Sequence, residues 1–398
     1  MSDIPVNAPD HCPGPQSESA GRISACAGCP NQTACSSGQA KLPLALREPE
    51  IILAIQKRLG SIRHRLLILS GKGGVGKSSV SVCLARGLSQ HCRNEMPTSE
   101  GEADTFRVGL LDLDLCGPST PCMLGCIGAQ VHQSQFGWSP VFISDSLSVM
   151  SVGFLLPSPD HPIIWRGPRK NALIRQLLSE VCWNDDDSEE LDFLLIDTPP
   201  GTSDEHLSAV QYLQAAHCLD GAIIVTTPQE VALSDVRKEI SFCQKLSIPI
   251  LGLVENMTEF ICPNCGHSGL VFPPTTGGAA SLCSTFSGMV NHGDRSLTNG
   301  DTWIPLLGRL PLDPRLARAL DEGVCPFELA EINAATDEQS SKGTGNNLRP
   351  SDSVMVAYKQ FIDSVVEQLM QLKKKKAAVH PTSAVVDAKT GERRATGT

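Results

Sequence analysis

Apolar residues along this chain gather into short unbroken runs rather than alternating with polar ones. Leu66–Leu69, Val108–Asp112, Phe193–Ile196, Ala222–Thr226, Ile250–Val254 and Ile304–Leu307 are each four or five residues long. A strand covered on both faces has this signature, because neither side of the pleat has to be polar. The segments between them carry helical spacing instead. Glu50–Leu59 is amphipathic, and a helix from Ser78 to Gln90 places Val80, Leu84 and Leu88 at successive turns. Ser351–Leu372 repeats the pattern with Val354, Tyr358, Phe361, Val365 and Leu369, and Lys373–Lys376 suit a helix C-terminus through the macrodipole. Val141–Phe154 reads as a hairpin or an edge element. Buried strands separated by helices predict an α/β fold: a doubly wound, mostly parallel sheet with helices on both faces.

Residues 1–49 break the pattern. They are rich in Pro, Gly, Ser and Cys and show no sustained apolar period, so they form an extension without a core of its own. Residues 50–372 are the expected main domain, and 373–398 are an expected disordered tail. Asn94–Thr105, Asn184–Glu190 and Ala335–Pro350 are polar and read as insertions. The formal charge of −10 argues against a general nucleic-acid binder. No apolar stretch reaches the roughly 18 residues that span a bilayer. The opening MSDIPVNAPDHCPGP has neither a basic n-region nor an apolar h-region. The expectation is a cytoplasmic protein with no nucleic-acid and no membrane partner.

Candidate chemistry begins at Ser70–Ser79, which reads SGKGGVGKSS. Gly71, Gly76, Lys77 and Ser78 fit G-x-x-x-x-G-K-[ST] between a strand and a helix. In that setting Gly71, Lys72, Gly73, Gly74, Val75, Gly76, Lys77, Ser78 and Ser79 wrap the phosphates of ATP. Lys77 reaches their oxygens and Ser78 ligates Mg2+. Such a site needs a carboxylate near the metal, and Asp197 ends the run Phe193–Ile196. Asp112 and Asp114 end another strand one residue apart. Near a γ-phosphate one of them can orient the attacking water, for which Asp114 stands with Lys77 as a catalytic candidate, and the other can hold the metal environment or the loop. The second lysine, Lys72, is not needed by a simple phosphate loop.

Sixteen cysteines are present. In a reducing compartment they are not expected to pair as disulfides. Cys83, Cys218 and Cys243 lie in apolar runs and read as core. Cys12, Cys26, Cys29 and Cys35 lie on the flexible extension, where four thiolates can wrap one metal centre. A tetrahedral zinc and a [4Fe–4S] cluster both accept four sulfurs, and spacing alone does not choose. Cys262 and Cys265, in CPNCG, are half of a ligand set with no second pair following. Two chains meeting on a symmetry axis would complete four ligands.

KGGVGKS at Lys72–Ser78 resembles the deviant P-loop of the MinD/ParA/nitrogenase-iron-protein class. DLDLCGPS (Asp112–Ser119), WRGP (Trp165–Pro168), IDTPPGTSDEHL (Ile196–Leu207), TTPQEVALSDVRK (Thr226–Lys238) and GLVENM (Gly252–Met257) are similar to its Mrp/nucleotide-binding-protein branch over about residues 60–330. With the two cysteine motifs, the resemblance extends to the eukaryotic cytosolic iron–sulfur assembly scaffolds. It implies a weak ATPase in which Lys72 crosses a dimer to the other subunit's phosphates and Asn256 contacts the adenine. It implies a firmly bound [4Fe–4S] cluster on Cys12, Cys26, Cys29 and Cys35. A labile [4Fe–4S] cluster would bridge two chains at Cys262 and Cys265 and pass to cytosolic and nuclear apoproteins. The implied partners are a second copy in a homodimer, or a related shorter ATPase in a heterotetramer, and downstream apoprotein-targeting factors. Two other readings share the phosphate loop: an iron–sulfur electron-transfer reductase and a MinD/ParA-like spatial-organising ATPase. The insertions and the long tail depart from the family pattern.

Overall fold

The structure is a computed structural model. It describes residues 17–29, 32–38, 42–91, 105–115, 117–156, 167–184, 190–201, 203–273, 275–288, 304–329 and 351–379. The strands are β1 (His64–Leu69), β2 (Val108–Asp112), β3 (His132–Ser134), β4 (Gly137–Ser139), β5 (Val141–Ser144), β6 (Leu147–Ser151), β7 (Phe193–Asp197), β8 (Gly221–Thr226), β9 (Ile250–Ile261), β10 (Ser268–Leu270) and β11 (Leu306–Leu312). Among the described residues, nine of them form one sheet in the order β10-β9-β8-β1-β7-β2-β6-β5, with β11 also paired to β9. The pairs from β6 across to β9, and β9 with β11, are parallel; β5 and β10 add antiparallel edges. The expected doubly wound, mostly parallel sheet is therefore present, and Val141–Phe154 supplies the edge hairpin β5–β6.

Because successive strand residues point to opposite faces, unbroken apolar strands feed two cores at once. In β1, Leu67 and Leu69 enter one core with Ile55, Ile174, Leu177, Val210, Leu213 and Ile240. These come from the helices Pro49–Leu59, Gly167–Glu180, Asp204–Ala215 and Glu230–Lys245. Leu66 and Ile68 enter the other core, with Val80, Leu84, Leu88, Phe361 and Val365 from the helices Lys77–Gln90 and Asp352–Val379.

Several boundaries differ from expectation. β9 continues seven residues past Val254, through Glu255, Asn256, Thr258 and Glu259. Local polarity loses here to tertiary pairing. Buried Glu255 accepts the Ala279 N–H at 2.7 Å and pairs with Arg309 at 3.1 Å, and the Thr258 hydroxyl donates to the Leu310 carbonyl. β11 starts at Leu306 rather than Ile304, since Pro305 has no N–H for the ladder; its carbonyl accepts from Leu253 at 2.9 Å. The last helix runs to Val379, past Leu372, because Lys and Ala are good helix formers. Residues 380–398 of the expected tail lie outside the described residues, as do most of the three insertions.

The final helix packs its apolar stripe inward: Val354, Tyr358, Phe361, Val365 and Leu369 are all buried. It comes so close to the helix Lys77–Gln90 that a Cβ at Gly87 would sit 2.1 Å from the Ile362 Cδ1, which explains a glycine in mid-helix. The stripe is core, not a membrane-binding face. Among the described residues no helix is long and apolar enough to cross a membrane. Phe361→Ala is expected to lower unfolding free energy by about 3–5 kcal/mol in urea titrations. Exposed Met370→Ala on the opposite side should stay within about 0.5 kcal/mol of the parent.

Candidate nucleotide and metal site

Four strand ends lie level at the C-terminal edge of the sheet. Ile68 of β1 faces Asp197 of β7, Asp197 faces Asp112 of β2, and Asp112 faces Ser151 of β6. From β1 the chain moves outward to β2 and β6, returns to β7, and then builds β8 and β9 on the other side of β1. Ligands of such sheets bind where this direction reverses, beyond the carboxyl ends of the strands. The loop Ser70–Gly76 occupies that place and leads into the helix Lys77–Gln90.

Two glycines of the loop leave no room for another residue. A Cβ at Gly71 would lie 2.7 Å from the Asp235 backbone, and one at Gly76 would lie 2.3 Å from the Asn256 amide nitrogen, where φ is also +82°. Val75 is buried and anchors the loop, while Lys72, Gly73 and Gly74 are exposed. The buried ammonium of Lys77 donates to the wholly buried Asp197 Oδ1 at 2.7 Å. Ser78 donates to Asp197 Oδ2 at 2.6 Å, and the Ser81 hydroxyl lies 2.7 Å from Oδ1. Ser79 is turned elsewhere, with its hydroxyl directed at the Met123 sulfur at 3.7 Å. Open loop glycines, a helix N-terminus, an ammonium, a hydroxyl and a carboxylate together fit a nucleoside polyphosphate with Mg2+. Lys77 and the loop amides would hold the phosphates, and Ser78 and Asp197 the metal.

The two aspartates of β2 separate. The strand ends at Asp112, which is buried and accepts from the Ser151 hydroxyl at 2.8 Å and the Asp114 N–H at 3.0 Å. Asp114 lies past the strand end and is half-buried. Asn256 donates its side-chain N–H to the Val75 carbonyl at 2.9 Å, so in this structure its amide braces the loop backbone. Sequence reasoning missed Ser81 and Ser151. Each is one of many serines near a helix start or strand end; strand register brings Ser151 beside Asp112, and packing of the helix Lys77–Gln90 on the strand ends brings Ser81 to Asp197.

The cysteine pair stands at the tip of the β9–β10 hairpin, which no alternation in the sequence announces. Cys262 N–H donates to the His267 carbonyl at 3.0 Å and Gly266 N–H to the Cys262 carbonyl at 2.9 Å, closing a tight knuckle. Backbone N–H groups of Asn264 and Cys265 hold the Cys262 thiol below its ordinary range, which favours thiolate. Cys265 is exposed. On the extension, Cys26 is buried and Cys29 and Cys35 are half-buried, while Cys12 lies outside the described residues. Among the described residues no three His, Cys, Asp or Glu side chains converge as a metal site. Cys83, Cys218 and Cys243 are buried core residues, as expected.

A family model described as ParA, the NUBPL iron-transfer P-loop NTPases, matches residues 61–342. A cytosolic Fe-S cluster assembly factor Nubp1 homolog from Drosophila willistoni is 52% identical over 317 residues, covering 79% of this chain and 90% of its own. Its counterpart from Drosophila ananassae is 50% identical over 332 residues, covering 83% and 94%. Among solved structures, the nucleotide-binding protein from Archaeoglobus fulgidus in complex with ADP is similar at 33% identity and a TM-score of 0.51, covering 69% of this chain and 92% of that one.

Asp112 offers a test of the site's electrostatics. Burial first, and the neighbouring Asp197 charge second, push its carboxyl from 3.8 up to about 7. The unfolded chain releases this proton near 3.8 and the folded chain near 7, so between those values stability falls as pH rises. Asp112→Asn removes that loss. In thermal scans of nucleotide-free protein, the variant's melting temperature relative to the parent should rise from about pH 4 to about pH 8. A pH-independent difference would contradict the assignment.

Proposed function

The chain belongs to the iron-transfer P-loop NTPase family, and from that premise we propose that it is an ATP-dependent scaffold that assembles [4Fe–4S] clusters and transfers them to cytosolic and nuclear apoproteins. The observation that carries the reading is the continuity of β9. Asn256 of this strand braces the phosphate loop at Val75, and five residues later the same strand ends at Ile261, next to Cys262 in the knuckle. One strand, stiffened by β8 on one side and β11 on another, thus touches the nucleotide loop and leads into the cysteine knuckle. The names of the two relatives, cytosolic Fe-S cluster assembly factors, support the cargo and the cytoplasmic setting. They favour assembly over electron transfer or spatial organisation.

The chemistry of each part follows. Cys262 and Cys265 place two sulfurs at a hairpin tip, half of what a four-iron cargo requires, so a second chain supplies the other half. Lys72 is exposed at the loop and free of the loop's own packing, which suits a cation delivered to the partner's phosphates. One dimer interface then accounts for both features, whether the partner is a second copy or a related shorter ATPase. Asp114 orients the attacking water, and Asn256 turns from Val75 toward the adenine. On the extension, Cys12, Cys26, Cys29 and Cys35 would hold a firmly bound [4Fe–4S] cluster, whose chemistry is electron exchange. Hydrolysis is slow, and downstream targeting factors receive the cargo.

Anaerobic purification with iron, sulfide and zinc analysis tests this reading. Cys265→Ala should lose the labile, chelatable iron and keep the rest, and Cys26→Ala should lose the firmly bound iron. Lys77→Ala should weaken ATP binding by about a hundredfold or more, the cost of losing a charge-assisted contact at phosphate, and stop iron loading in cells. Zinc without sulfide would overturn the cluster assignment. A monomer with ATP and cluster both bound would overturn the shared interface.

A further inference from the structure

His206 is a buried polar side chain with no part in the chemistry described so far. It lies in the first turn of the helix Asp204–Ala215, where its N–H is accepted by the capping Ser203 hydroxyl at 3.3 Å. The side chain is 1% exposed, and its ring packs on Phe242 with centroids 4.8 Å apart. Nδ1 lies 2.8 Å from the Gly201 carbonyl oxygen. A carbonyl only accepts, so Nδ1 carries the hydrogen and Nε2 of the neutral ring is a bare acceptor. Nε2 is buried without a hydrogen-bond partner among the described residues. Burial, and then the nearby Lys77 charge, hold the imidazole below its usual 6.5, while the Gly201 carbonyl opposes them. A second, charged N–H would have no acceptor here, so the site selects the neutral Nδ1–H form.

Gly201 is the far end of the turn that starts at Asp197. Its φ is +75°, and its N–H donates to the Ser70 carbonyl at 2.7 Å, immediately before the phosphate loop. In between, the Thr198 hydroxyl donates to the Ile68 carbonyl at 2.9 Å, and Pro200 Cγ is the nearest atom to a Cβ built on Gly73, at 3.9 Å. The near end of the turn meets Lys77 and Ser78 through Asp197. The far end is pinned from two directions, by Ser70 on its N–H and by His206 on its carbonyl.

Resting on the nucleotide-site reading above, we infer that His206 is a positioning residue for ATP turnover: its Nδ1–H fixes the Gly201 carbonyl and so holds the Asp197–Gly201 turn against the phosphate loop. The requirement is a neutral donor at the place of Nδ1. An asparagine side chain brings its N–H to that place. Glutamine carries its donor one bond too far, and phenylalanine fills the volume with no donor. Loss of the pin loosens the orientation of Asp197 toward Lys77 and Ser78. The loop backbone and Lys77, which dominate nucleotide affinity, stay in place.

The test uses the full chain in its dimeric form with His206→Asn, His206→Gln and His206→Phe. ATP turnover, affinity for fluorescent ADP and hydrogen exchange at the Gly201 amide are measured for each. The expected result is kcat within about threefold of the parent for Asn and lowered about tenfold or more for Gln and Phe, the scale of one lost buried hydrogen bond. ADP affinity should move by less than about threefold in all of them, because the pin does not touch nucleotide. Full activity in Gln or Phe, or equal losses in all the variants, overturns the inference. If Gln and Phe do not fold, Asn decides: parental kcat with parental Gly201 protection supports the pin, and a tenfold loss overturns it. A parent chain without ATP turnover would refute the ATPase reading instead. His206 would then be judged by Gly201 exchange alone, faster in Gln and Phe than in Asn supporting it and equal rates overturning it.

Discussion

A buried ion pair between Lys77 and Asp197 sits where the central strands end, and much of the surrounding structure serves to satisfy it. Taking both charges out of water costs several kcal/mol per ion unless their remaining hydrogen-bond capacity is filled. Here it is filled locally: the hydroxyls of Ser78 and Ser81 approach the two oxygens of Asp197. One strand over, Asp112 carries the electrostatic consequence. Burial first, and the carboxylate in register on the adjacent strand second, push the Asp112 carboxyl up to about 7. The helix Lys77–Gln90 is thus drawn to the strand ends by its first residue, and the loop before it is shaped by what that approach leaves room for.

The same constraint organises the elements further out. Gly71 and Gly76 are places where another element already occupies the space of a side chain, Asp235 in one case and Asn256 in the other. The loop is therefore held from the helix Glu230–Lys245 and from β9 as well as from β7. β9 is long because its polar residues find partners across the sheet: Glu255 with Arg309 and the Ala279 N–H, Thr258 with Leu310. That length carries the strand from the nucleotide loop to the cysteine knuckle without a break, and it is the physical basis for reading the two sites as one device.

Much of this was legible beforehand. The phosphate loop is defined by residue types at fixed spacing. Asp197 and Asp112 are acids at the ends of apolar runs, and parallel packing puts such ends side by side. Helix stripes such as Val354 to Leu369 name their own buried face. What escaped were positions whose meaning depends on a neighbour distant in sequence. Ser81 looks like any helix serine, yet strand β7 brings Asp197 to it. His206 follows a capping serine by three residues, a local signal only, and its link to Gly201 needs the turn to fold back. Glu255 to Glu259 read as a polar strand end because their partners lie some fifty residues later or on the following helix.

By itself, then, the sequence determined the layer architecture, the phosphate loop with its two lysines, and the spacing of six cysteines in two motifs. These are short-range properties: periodicity, backbone freedom at glycine and the chemistry of side chains a few residues apart. Tertiary structure alone decided which carboxylate meets Lys77, how far β9 extends, that Asn256 braces Val75, and that Cys262 and Cys265 are offered on an exposed tip. Those depend on strand register and on the partners that make burial of a polar group affordable, and neither is encoded within any single segment.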